Sequence, residues 1–440
     1  MPVYRESGAS TLYEVVKVQT CSGQPLEVTS SPSSSPVTIT TAGTPGSDAF
    51  GRTRVSNPLT LFDSSHRYQD NGLWTTATGV GSDATFDANA GLVTLNVPTT
   101  SGAYVKRETK KVFAYQPGKS LLVLSTFALN PAKTNLRQRV GYFNTDNGLY
   151  LQLNNSTLSF VERSSVTGTL VETTVNQADW NVDKLDGTGP SGITLDISKA
   201  QIFWMDIEWL GLGTVRLGFV INGIFVHCHS FQHANVIAGT YITTACLPLR
   251  YEIENLGTTA SSSTLKQVCS TVISEGGYEL RGKQTHIALP VASPRDLTNA
   301  STFYPVISTR LKSTRLDAIV ILSALSVLGI NNNSNYSWQL VKGGTTSGGT
   351  WVSAGADSSV EYNISGSSFT VGSGNILAGG FAAGASNGAN TIDVDKEQLF
   401  RFQLERDSFT STPFELTLIV ATDNNGSDVL GSIDVEEITL

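Results

Sequence analysis

From about residue 60 to residue 280 the chain repeats one pattern: short runs in which apolar and polar residues alternate, or which are apolar throughout. "SLLVLSTFAL", "RQRVGYFN", "GLYLQLNN", "QIFWMDIEWLG" and "TVRLGFVING" follow one another with only turn residues between them. Side chains on a strand point to opposite faces in turn, so this period suits strands half-buried in a sheet. "DNG", "LNN", "TGT" and "ING" supply hairpin turns, because Asn and Gly accept the left-handed backbone such turns need. The one helical signal is a turn around 177–185. Charged residues make up only 15% of the chain, too few for long amphipathic helices. The expectation is an all-β protein built on a concanavalin-like or jelly-roll β-sandwich.

The order along the chain divides it further. Residues 1–46 read as a flexible attachment arm. "TSSPSSSPVTITTAGTPG" lacks the apolar surface to order itself, while "TLYEVVKVQT" alternates well enough to join a sheet edge through Leu12, Tyr13, Val15, Val16 and Val18. Residues 47–282 are the large sandwich, 283–300 a linker marked by "LPVASPRDLTNAS", and 301–440 a second, smaller antiparallel sandwich of jelly-roll type. Within the second unit, "VGSGNILAGGFAAGASNGAN" reads as a large contact-making loop and "EQLFRFQLERDS" as a strand.

Charge and cysteine content narrow the function classes. A net charge of −8 argues against a nucleic-acid partner. The run Lys106-Arg107-Glu108-Thr109-Lys110-Lys111 reads as a solvated strand face. Cys21, Cys228, Cys246 and Cys269 show no paired spacing, so folding needs no disulfide. The start, Met-Pro-Val-Tyr-Arg-Glu, lacks an apolar core for secretion, and Leu316 to Ile330 is too short to span a bilayer. A soluble protein folded in a cytoplasm, without membrane insertion, is expected.

Three constellations bear on chemistry. Asp206 and Glu208 are two apart on one strand, the spacing of Glu-x-Asp-x-Glu in retaining β-glucanases of the concanavalin-like fold. Trp204 stands where the first carboxylate of that pattern would be. The other reading has Met205, Ile207 and Trp209 packing inward while the two acids face loops or solvent. His227 and His229 alternate with Cys228 and, with His233, form a weak metal candidate. No phosphate loop or EF-hand is present, and neither an enzyme nor a cofactor is expected.

The most distinctive stretch is "DAFGRTRVSNPLTLFDSSHRY", running to Tyr68. It resembles a segment of structural proteins from tailed bacteriophages, marine and cyanobacterial ones especially. The form is Asp-Ala-Phe-Gly-Arg-x-Arg-Val-Ser-x-Pro-x-Thr-Leu-Phe-Asp-Ser, matched at Asp48 through Arg52, at Arg54, Val55, Ser56 and Pro58, and from Thr60 to Ser64. "QVCSTVISEGGYE", Gln267 to Glu279, is similar to the segment that closes the first sandwich of such proteins. The resemblance covers about residues 40–285. It implies a virion protein assembled in the host cytoplasm and displayed on the capsid, as decoration or head fibre, or on the tail.

Capsid, portal or tail proteins are then the expected partners, and a homotrimer the expected assembly. In that role Arg52, Arg54 and Arg67 offer guanidinium forks to a neighbour. Phe50, Leu61, Phe62 and Tyr68 anchor on the sandwich or on another subunit. The alternative function is a glycan-binding adhesin that contacts host surface sugars. Trp74, Trp180, Trp338, Trp351 and Tyr362 are its candidate stacking rings, since they lie in or beside loop-like stretches.

Overall fold

A computed structural model describes residues 57–331, 334–384, 390–393 and 399–438. The arm 1–46 and the expected anchors Leu12, Tyr13, Val15, Val16, Phe50, Arg52 and Arg54 lie outside the described residues, as do Val18 and Cys21. Among the described residues every regular element is a strand or a short 3-10 turn. One of those turns, Gln177–Asp179, falls where the sequence suggested it.

The large sandwich packs an eight-stranded sheet on a seven-stranded one, with every pair antiparallel. The first sheet is centred on Ser120–Ala128, flanked by Ala200–Ile207 and by the long strand Ser263–Glu275. Leu121, Val123 and Phe127 point inward from Ser120–Ala128, and the residues between them are less buried. The second sheet is centred on Leu136–Phe143 and Leu249–Asn255. Between the sheets Phe160, Phe203 and Phe219 stack within 6.3 Å of one another. Each such ring contributes about 1.5–3 kcal/mol by leaving water. The hairpin Asn222-Gly223 has φ of 53° and 78°, the left-handed pair that a two-residue turn matching strand twist requires.

The smaller sandwich faces a five-stranded sheet with a six-stranded one. Its central strands are Val320–Gly329, Ser427–Glu437 and Leu416–Thr422. The apolar stretch noted in the sequence is thus a buried core strand. No helix among the described residues is long and apolar enough to cross a membrane.

Three expectations about this half need correction. Residues 283–300 are not a free linker, because Lys283–Ala288 and Arg295–Leu297 both pair with Ser427–Glu437. Hydrogen bonding to the last strand uses the backbone that the two prolines left available. The supposed loop contains the nine-residue strand Asn375–Ala383, paired with Asn335–Lys342. Its small residues let backbone lie against an indole: a Cβ on Gly380 would come within 2.9 Å of the Trp338 ring. Finally, the 399–407 stretch is not one strand. It holds a 3-10 turn and the two-residue strand Arg406–Asp407, because its polar groups bond to the other sandwich.

Candidate functional site

The two sandwiches are joined by buried charge. Arg406 lies almost wholly out of solvent, and its guanidinium donates to Glu108 at 2.7 Å, to the Thr109 carbonyl at 2.6 Å and to Asp317 at 3.1 Å. Its backbone N–H donates to the Lys110 carbonyl, and the Gln403 amide donates to the Val112 carbonyl at 2.7 Å. Arg250, held between the rings of Phe143 and Phe409, approaches Glu108 at 3.4 Å from the other side. Burial pushes the Glu108 pKa up, and the two guanidinium groups oppose it. Burial also pushes the Lys111 ammonium down to about 8, opposed by Glu405. The expected solvated face is therefore wrong for its centre: Glu108 and Thr109 are buried at the seam between the sandwiches, and Arg107 is buried within the large sandwich, where it donates to Gln267, Thr76 and Asp70. Two arginines from distant segments can bury one carboxylate because together they supply the bonds water would have made.

The expected phage-like anchor divides at the sandwich surface. Leu59–Ser65 is a strand along Ser263–Glu275, with Thr60 opposite Ile273 and Ser64 opposite Ser270. Leu61 and Phe62 turn into the core, where Phe62 meets Phe113 at 4.9 Å and Trp74 at 6.1 Å. Phe62 thus anchors on its own sandwich and has no surface left for a neighbouring subunit. Tyr68 is the opposite case: it is 84% exposed, with the Arg67 guanidinium 5.1 Å from its ring centre.

The strand Ala200–Ile207 offers no pair of free carboxylates. Met205 and Ile207 pack inward, and Asp206 is ion-paired with Arg216 of the adjacent strand. Glu208, just past the strand end, accepts the Thr214 N–H at 3.2 Å. Trp204 is buried on the sheet's other face, beside Phe225 and His227.

The histidines are not gathered. Pairing of Val215–Ile221 with Ile224–Phe231 slips by one residue, so that Gly218 stands opposite His227 and Leu217 opposite His229. Cys228 is the extra residue of a β-bulge, and a one-residue slip reverses the facing of the strand beyond it. His227 accordingly packs on Trp204, while His229 turns inward and stacks on Phe160. The reading that put both imidazoles on one face fails for this reason.

Each ring has its own partners. His227 Nε2 meets Ser230 Oγ at 2.9 Å, and His229 Nδ1 accepts the Asn181 N–H at 3.3 Å. Burial lowers the His229 pKa to about 4, with His227 adding to the effect. His233 bridges Glu162 at 2.7 Å and the Gly213 carbonyl at 2.6 Å, both acceptors, so its ring donates from both nitrogens. Burial opposes that charge, but the two acceptors outweigh it and raise the His233 pKa. Among the described residues no three His, Cys, Asp or Glu side chains converge as a metal site.

Most of the proposed stacking rings are core. Trp74, Trp180 and Trp338 are buried, with Trp74 Nε1 donating to Ser64 Oγ at 2.9 Å and Trp180 stacked on Phe160 at 4.2 Å. Their loop-like neighbours hid the fact that each ring fills a sandwich interior. Tyr362 packs on the second core from a strand, and Trp351 lies under the Arg310 guanidinium, 3.9 Å from its ring centre.

The sequence reading missed a cleft of about 680 Å³ beside the seam. Tyr115, Trp209 and Tyr278 line it from the large sandwich, and Ile438 from the final stretch of the chain. Trp209 and Tyr115 meet edge to face at 5.9 Å. Trp209 ends the alternating run after Ala200–Ile207, and that was the available sequence signal, read as inward packing.

No family model matches the chain, and no curated protein matches it. Among solved structures, a protein of unknown function from Shewanella oneidensis MR-1 aligns at 12% identity with a TM-score of 0.33, over 52% of this chain and 91% of its own. The carbohydrate recognition domain of Emp47p aligns at 13% identity with a TM-score of 0.31, over 53% of this chain and 100% of its own. A β-1,3-1,4-glucanase from a mouse hindgut metagenome aligns at 11% identity with a TM-score of 0.31, over 49% and 99%.

Proposed function

We propose that this chain is a non-enzymatic structural protein of a tailed-phage virion, held in the particle through its N-terminal region and displaying two sandwiches outward. One observation carries the reading. The two segments with the phage-protein resemblance, Asp48 to Ser64 and Gln267 to Glu279, lie some 200 residues apart in sequence. Their strands nevertheless pair directly, with Phe62 opposite Val272 and Asp63 opposite Thr271. The resemblance thus marks one structural unit at the place where the chain enters the sandwich, with exposed Arg67 and Tyr68 beside it. The seam of buried charge supports a rigid display of the second sandwich, since an ion pair removed from water has few alternative geometries. A structural role also agrees with the absence of a free acid pair on Ala200–Ile207, where Arg216 and the Thr214 amide engage Asp206 and Glu208.

On this reading the partners are capsid, portal or tail proteins, and the displayed form is a homotrimer. Immunogold labelling of purified particles tests the placement. Gold on capsid or tail is expected, whereas label confined to unassembled material in the lysate would sink the proposal. A second reading, host-glycan binding by the displayed surface, is favoured by the aromatic cleft beside Trp209.

A further inference from the structure

We infer that the cleft beside Trp209 is a saccharide-binding site in which Trp209 is the ring that the sugar stacks on. The inference rests on the glycan-binding reading and gives it a location. The cleft's volume of about 680 Å³ falls within the range of small-ligand sites, which combine an apolar floor with a few polar groups. A pyranose asks for that combination: a flat C–H face to lie on an aromatic ring, and hydroxyls that need donors and acceptors around it.

Elimination over the chain's six tryptophans singles out this ring. Trp74, Trp180, Trp204 and Trp338 are buried. Trp351 has Arg310 stacked on it. Trp209 is half-buried and lines the cleft. It is also held in place, because its Nε1 donates to the Ile242 carbonyl at 3.3 Å and its backbone N–H donates to the Tyr115 hydroxyl at 3.1 Å. A ring fixed before the ligand arrives loses little freedom on binding.

The rim is preformed as well. The Gln116 side chain both donates to and accepts from the Glu279 backbone, at 2.9 and 3.0 Å. That clamp holds the exposed Glu279 and Arg281, whose guanidinium forks onto the carboxylate at 2.6 and 2.9 Å, at the cleft mouth beside Lys119. The rim thus presents an acceptor and two cations over an aromatic floor. Burial raises the pKa of the Cys246 thiol in the wall, so it stays uncharged against the sugar.

The test uses the full chain on a printed panel of neutral and acidic bacterial-surface oligosaccharides, followed by calorimetric titration of the best binder. Trp209→Ala is expected to weaken binding roughly tenfold or more, and Trp351→Ala to leave it unchanged. Thr244→Arg, which fills the cleft from its rim, is expected to abolish binding even if Trp209→Ala proves poorly folded. A sugar that binds the wild type and both cleft variants equally would overturn the site and leave the glycan-binding reading standing. No binding to any member of the panel would overturn both.

Discussion

Arg406 Nη2 donates to Glu108 Oε1 at 2.7 Å, with both side chains about 1% exposed and the two residues 298 positions apart in sequence. This contact fastens the second sandwich to the first. Replacing Arg406 by Leu leaves Glu108 buried with only Arg250 nearby, an arrangement that costs about 3–5 kcal/mol. Calorimetry should then show the unfolding split into two transitions, the smaller sandwich melting first. The double variant Arg406→Leu with Glu108→Gln should recover part of the loss, since no buried charge is stranded.

The strand Asn375–Ala383 depends on small residues where it crosses Trp338. Gly380→Val places side-chain atoms into the indole and should destabilise the second sandwich by about 1–3 kcal/mol in denaturant unfolding. Gly239→Ala, at a position where an added Cβ meets nothing within 4 Å, should change stability by less than about 0.5 kcal/mol.

Two histidines impose opposite pH dependences. His229 titrates near 4 in the folded chain and near its ordinary 6.5 when unfolded, so the unfolded state binds more protons between those values. Its contribution is present above pH 6.5 and is lost as pH falls toward 4. His233 is raised by Glu162 and Gly213, so its contribution is present below pH 6.5 and is lost as pH rises through its folded pKa. Unfolding measured from pH 4 to 9 should show a shallower acid limb in His229→Phe and a shallower alkaline limb in His233→Gln.

How far the sequence could be read depends on how local each signal is. Alternation made Ser120–Ala128, Leu136–Phe143, Gly148–Asn154, Ala200–Ile207 and Val215–Ile221 legible, because a strand's facing is set within its own few residues, whereas the central strand Leu249–Asn255 went unread. The bulge at Cys228 was not legible: it depends on a register with Val215–Ile221 that no short window contains. The Gly- and Ala-rich strand looked like a loop because its composition answers to Trp338, about forty residues earlier. The seam was hidden for the same reason at greater range. Lys106 to Lys111 looks like a solvated run until Arg406 is placed over Glu108. Of the candidate site residues, Phe62 and the proposed stacking rings Trp74, Trp180 and Trp338 lie in the core, whereas Trp209, read as packing, lines the cleft.

The most direct test of the virion assignment is quantitative mass spectrometry of particles assembled with the full chain and with residues 1–46 deleted. The described core begins at Leu61, so the deletion should leave melting nearly unchanged. The full chain is expected in purified particles at a fixed copy number, and the deleted chain is expected to be absent from them though folded in the lysate. Full occupancy by the deleted chain would move the anchor to the surface around Arg67 and Tyr68. Absence of the full chain from the particles would contradict the account.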